Sequence, residues 1–153
     1  MKLADRLIAR ITRRAPDVVI GGHDRPYLRR WWVIPRNRFL NVYLHEFLRS
    51  DDDRALHTHP WLFNCSWLLD GEYREWSRWL GMLNFADRAA GDLKFRWGPA
   101  AHRVELTSGS CWTLFITGPR IRPWGFLCPQ GFVHWRDFTD ARDKGAVGKG
   151  CDQ

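Results

Sequence analysis

Between residues 27 and 135 the chain consists of short apolar runs, each cut off by a turn signal before a helix has room to form. The runs span 27–34, 39–48, 61–69, 72–79, 92–97, 102–107, 111–117, 122–128 and 132–135, and are rich in Trp, Phe, Val, Leu and Tyr. Between them stand Pro35-Arg36-Asn37, Asp51-Asp52-Asp53, Asp70-Gly71, Gly98-Pro99, Ser108-Gly109, Gly118-Pro119 and Pro129-Gln130-Gly131. Branched and aromatic side chains suit a pleated surface, and the turn residues supply the bends. Strands this short and this evenly spaced, with no helical interlude, predict an all-β antiparallel sandwich or barrel.

The 153 residues fit one domain with one sizeable core. We expect an amphipathic helix over 1–15, a barrel domain over 22–138 and a disordered, polar, Gly-rich tail over 139–153. In the helix, Leu3, Leu7, Ile8 and Ile11 recur at helical spacing, with Arg6, Arg10, Arg13 and Arg14 on the other side and Pro16 beyond. The expectation is an apolar side packed on the barrel and a solvated arginine face. The alternative is a basic element for a membrane surface or nucleic acid. Residues 1–49 hold 11 of the 24 Lys and Arg against 4 of the 17 Asp and Glu, so the net charge of +7 resides there. No apolar run approaches the roughly 18 residues needed to span a bilayer, and the first residues are too interrupted for a signal peptide. A cytoplasmic chain is expected. Its four cysteines show no zinc-ribbon spacing; Cys65, Cys111 and Cys128 read as buried small hydrophobes and Cys151 as an idle tail residue.

The chemistry is concentrated in His57-Thr58-His59. Residues two apart on a strand share a face, so this pair aims two imidazoles into one space, as a metal ion requires. Four residues separate His59 from Asn64, and six separate Asn64 from Gly71. Further on, the turn Gly98-Pro99-Ala100-Ala101 leads into His102. This two-part pattern resembles the signature of the cupin superfamily, whose first motif runs His-x-His, Glu, Gly and whose second is a Pro/Gly turn into a His. The stretches LRRWWVIPRNRFLNVYLHEFLRSDDDRALHTHPW and TLFITGPRIRPWGFLCPQGFVHWRDF are similar to small, uncharacterised cupin-like proteins of bacteriophage and bacterial genomes.

The resemblance implies a single cupin-type jelly-roll barrel, a double-stranded β-helix. It also implies a divalent transition metal held by His57, His59 and His102, with Gly71 as the closing glycine. Asn64 stands where many cupins carry a Glu ligand, and an amide is a poor ligand for such an ion, so three histidines are expected to form the site. Histidine ligands suit iron, the first expectation, and also zinc, nickel or copper. In the related motif an Asp often takes the place of Thr58, which reads as the loss of an outward-facing acid. Cys65 falls one residue from the crosslinking cysteine position of the thiol dioxygenases, so no crosslink is expected.

Other residues are candidates for the pocket. His45 shares parity with Tyr43 and Phe47, and Tyr73 follows Gly71 as a donor at the mouth. Arg120 and Arg122 flank the run into Trp124, where their guanidinium groups suit a carboxylate or phosphate. His134 is expected on a structural C-terminal strand. The leading functional expectation is an oxygenase-like enzyme acting on a small-molecule ligand through the three-histidine metal site. The alternative is a non-catalytic binding or interaction module for a small ligand, protein or nucleic acid, or a homodimer in which Trp31-Trp32 is buried at a sheet edge.

Overall fold

The structure, a computed structural model, describes residues 3–21, 25–51, 55–143 and 146–152. The Asp52-Asp53 turn signal lies outside them. The described residues form α1 (Leu3–Ile11), β1 (Val18–Ile20), β2 (Leu28–Trp32), β3 (Asn41–Phe47), β4 (Leu56–His57), β5 (Phe63–Asp70) and β6 (Glu72–Trp79). Then follow β7 (Met82–Ala89), β8 (Leu93–Trp97), β9 (His102–Leu106), β10 (Cys111–Thr117), β11 (Gly125–Cys128), β12 (Gly131–His134) and α2 (Trp135–Phe138).

Two six-stranded antiparallel sheets result, in the orders β1-β2-β3-β10-β5-β8 and β12-β11-β4-β9-β6-β7. Strands distant in sequence lie side by side in both, as in a jelly roll. Alternation sets the inner faces. Along β10, Cys111, Thr113, Phe115 and Thr117 are buried, while Trp112, Leu114 and Ile116 are partly exposed. Gly71 closes the β5–β6 hairpin at φ +81°, and an added Cβ there would meet the Ser110 carbonyl at 2.7 Å. The position requires glycine on both counts.

Three strands escaped the sequence reading. β1 and β4 are only three and two residues long. β7 pairs with β6 in register from Glu72↔Ala89 to Trp79↔Met82, turning at Leu80 and Gly81, both at positive φ. A leucine is a poor signal for that turn, which ordinarily favours Asn, Asp or Gly at its first position.

The N-terminal helix packs as expected on its apolar side. Ala4, Leu7, Ile8 and Ile11 lie against the cluster of Trp31, Leu44 and Leu69. Two details are corrected. Leu3 is 73% exposed and takes no part. Trp31, only 4% exposed, is covered within this molecule and donates its indole N–H to the Arg14 carbonyl, so it is not open for self-association.

The tail also differs from expectation. Gly148 and Gly150 donate to the Phe138 carbonyl, Asp140 donates to the Ala146 carbonyl, and a disulfide joins Cys151 to Cys128. Cys128 is therefore not a free core thiol and Cys151 is not idle. Their pairing could not be read from two cysteines 23 residues apart. Among the described residues, no helix is long and apolar enough to cross a membrane.

Candidate metal centre

His57 ends β4 and pairs directly across the sheet with His102, the first residue of β9. Their rings stand 4.9 Å apart. His59 lies just past β4, where its N–H donates to the Gly98 carbonyl at 3.2 Å. Gly98 is pressed so closely to this segment that a Cβ would stand 2.0 Å from the Trp61 carbonyl oxygen. Only glycine allows the second motif to close on the first. Between the two histidines, Thr58 points the other way. It is buried, its N–H donates to the Gly125 carbonyl at 2.8 Å, and its Oγ1 accepts from the Gly125 N–H at 3.2 Å. The outward-facing position expected there is in fact a clamp between β4 and β11.

One ring nitrogen from each of His57, His59 and His102 lies within 4.8 Å of the others. Nε2 of His59 and Nε2 of His102 are 2.8 Å apart. Two nitrogens held at right angles by one ion, each at about 2.0–2.1 Å, would stand about 2.9 Å apart. The donor set and its spacing therefore fit a divalent transition metal.

Carboxylates stand behind the cluster. Glu75 Oε1 lies 3.1 Å from His102 Nδ1, off the ideal hydrogen-bond line, and accepts from Arg96 Nε at 2.6 Å. Asp51 Oδ2 lies 3.8 Å from His57 Nδ1, too far for a direct hydrogen bond, and accepts from the Val104 N–H at 2.7 Å. The other Asp51 oxygen accepts from the Tyr27 hydroxyl. A carboxylate behind each of two imidazoles favours the proton on Nδ1 and leaves Nε2 for the ion.

Burial dominates the electrostatics of the rings. It lowers the proton affinity of His59, assisted by His102 and His57. At His102, burial and then the Arg96 charge outweigh Glu75 and bring the pKa down to about 3. His57 is lowered by burial, with Asp51 opposing. Burial alone would raise the Glu75 carboxyl, but His102 and Arg96 hold it well below the usual carboxylate range. All three rings are thus neutral at physiological pH, the form that binds metal.

Glu75 and Arg96 were missed by the sequence reading. Glu75 carries a usable signal, since it shares strand parity with Tyr73. Asn64 is fully buried, and its Oδ1 accepts from Arg96 Nη1 at 3.4 Å. It supports the Glu75–Arg96 pair from behind.

The cluster opens into a cavity of about 530 Å³ walled by Trp61, Phe115, Trp124 and Phe126. All four pocket candidates line it. His45 is buried beside Arg30, and Tyr73 is buried in the floor against Leu68, Val104 and Cys111 rather than at the mouth. Arg120 is exposed at the rim, bridged to Trp61. Trp124 stacks on Trp135 at 5.8 Å. Phe138, Thr139, Ala146 and Val147 also line the cavity. His134 lies in β12, where its Nδ1 accepts from the Arg136 N–H and caps α2.

No protein-family signature matches the chain, and no curated protein matches it. Solved structures do. Hydroxypropylphosphonic acid epoxidase from S. wedmorenis superposes with TM-score 0.52 at 17% identity, over 68% of this chain and 57% of that one. An Fe(II)-HppE with an alternative substrate gives 0.53 at 17%, over 68% and 58%. Bacillus subtilis oxalate decarboxylase, described with Mn(II) centres, gives 0.55 at 17%, over 77% and 31%. The chain thus spans a little over half of the first two and about a third of the last. With two antiparallel sheets in jelly-roll order and these neighbours, the chain has the cupin fold.

Proposed function

We infer that the protein is a metal-dependent cupin enzyme that converts a small molecule at the His57–His59–His102 site, with oxygenase-like chemistry as the specific reading. One observation carries it. Three neutral imidazoles, two of them backed by carboxylates, converge at the wall of an aromatic cavity large enough for a small organic substrate. The solved neighbours described with Fe(II) or Mn(II) support a divalent ion in this fold. Imidazole ligands suit iron as well as zinc, nickel or copper, and iron and manganese are the ions with which the solved neighbours are described. Iron is the first choice of the reading, and metal analysis decides it.

A bound ion would supply Lewis acidity, and a redox-active one electron transfer to oxygen, at positions the histidines leave open. The protein's own residues do the rest. Glu75 stands behind His102 and Asp51, at longer range, behind His57, and His102 and Arg96 together keep Glu75 ionised. Trp61, Phe115 and Phe126 limit water around the ligands. The test is elemental analysis of protein purified without a His-tag, followed by oxygen uptake with iron restored across a panel of small organic acids. One ion per chain and substrate-dependent uptake support the reading. A metal-loaded protein that turns over nothing would leave a binding module in its place.

A further inference from the structure

Arg30 lies in the cavity wall without the carboxylate partner that several other arginines of the described residues have. On β2 it pairs across the sheet with His45 of β3, and alternation turns Leu28, Arg30 and Trp32 inward. Its Nε donates to His45 Nε2 at 2.8 Å, and its guanidinium lies 5.1 Å from the centre of the Tyr43 ring. These two contacts fix the plane of the fork. They leave Nη1 and Nη2 without a hydrogen bond among the described residues, open to the cavity.

No carboxylate of the described residues lies within ion-pair distance of it, whereas Arg14, Arg29, Arg74, Arg88 and Arg96 each have one. The rest of the wall does not neutralise it. Arg36, Arg38 and Arg120 also line the cavity, and Asp51, the acid found there among the described residues, is already engaged by Tyr27 and Val104. Burial first, and then Arg36, weakens the hold of Arg30 on its proton, with Tyr43 and Tyr27 opposing.

The position relates Arg30 to the histidines. Phe115 lies 5.1 Å from the His45 ring and 6.0 Å from the His59 ring, so both groups border one aromatic floor. His45 accepts from Arg30, which requires its own proton on Nδ1 and makes it a positioning residue that holds the fork.

We propose that Arg30 is the recognition site for an oxyanion group, carboxylate or phosphonate-like, of a small molecule whose other end reaches His57, His59 and His102. The planar fork matches two oxygens of such a group side by side. This deepens the reading of the cavity as a small-molecule site, but it does not need the metal.

The experiment titrates malonate and methylphosphonate separately into chelator-treated and iron-loaded protein by calorimetry. The variants are wild type, Arg30→Met, Arg30→Lys and His59→Ala. Wild type is expected to bind at least one of the two with or without metal, the tighter one assigning the head group. Arg30→Met should weaken it at least tenfold while leaving metal uptake unchanged, and Arg30→Lys should recover only part. His59→Ala should lose metal but keep anion binding in the chelator-treated state. Arginine-directed dicarbonyl labelling of wild type, read by mass spectrometry, gives a check independent of variant folding, because the bound anion should protect Arg30. Binding of neither probe, equal binding by Arg30→Met, or no protection of Arg30 overturns the proposal. A wild-type protein that takes up no metal yet binds the anion through Arg30 overturns only the metal reading.

Discussion

Two arginines line the same cavity and live by opposite rules. Arg96, on β8, is buried and paired with Glu75, which in turn supports His102. Arg30, on β2, is enclosed by a histidine and a tyrosine and has no acid beside it. An internal cation with its counter-ion belongs to the architecture, because removing either partner strands a charge. An internal cation that faces a cavity without one gains most from an anion that arrives from outside. The pair thus separates what holds the site from what the site holds.

The largest expected effect comes from breaking the first pair. Glu75→Gln strands Arg96 beside Asn64 and should cost about 3–5 kcal/mol of unfolding free energy, read by urea denaturation. The same variant should weaken metal binding about 10–100-fold, since His102 loses the carboxylate behind it. By contrast, Arg30→Met should lie within about 1 kcal/mol of wild type or be more stable, because it removes an unpaired charge and leaves a side chain of similar reach. If the two variants exchange these outcomes, the assignment of roles is reversed.

Acid should act on the histidines and on Glu75 in the same direction. His45, His57, His59 and His102 all have folded proton affinities lowered from the ordinary value, with burial the leading cause at each. In the unfolded chain they titrate near about 6.5, so below that pH the unfolded state binds more protons than the folded one. Stability of metal-free protein should be full above that value and fall as pH decreases, with His102 contributing down to about 3. Glu75 adds a further loss at lower pH, where the unfolded carboxyl takes up its proton first. A flat stability profile between pH 7 and 5 would contradict the buried, neutral histidines. The smallest effect belongs to Asn64→Ala, which should change metal affinity by less than about threefold, since Asn64 is engaged by Arg96 and is not a member of the histidine cluster.

The strands and the histidine cluster were legible because both depend on local spacing. Apolar runs of strand length bounded by turn residues mark β3, β5 and β10, and His-x-His on an extended segment needs no tertiary information to share a face. Glu75 was legible in part, through its parity with Tyr73. Arg96 was not. It lies between Phe95 and Trp97, and the ordinary expectation buries the aromatics and exposes the arginine. Here Phe95 and Trp97 are the exposed pair, and Arg96 points inward to Glu75 from another strand. Arg30 was hidden for the same reason, in the run LRRWW, where the neighbouring Arg29 faces outward to Glu46. Its isolation from acids is a property of the assembled cavity, which no window of sequence contains.

The most direct test of the central claim is a metal titration of chelator-treated protein, comparing wild type with His57→Ala, His59→Ala, His102→Ala and Asn64→Ala. Wild type should take up one divalent ion per chain, each histidine variant should lose most of that affinity, and Asn64→Ala should keep it. A wild-type protein that binds no ion, or an Asn64 variant that loses the ion while the histidine variants retain it, would contradict the three-histidine centre.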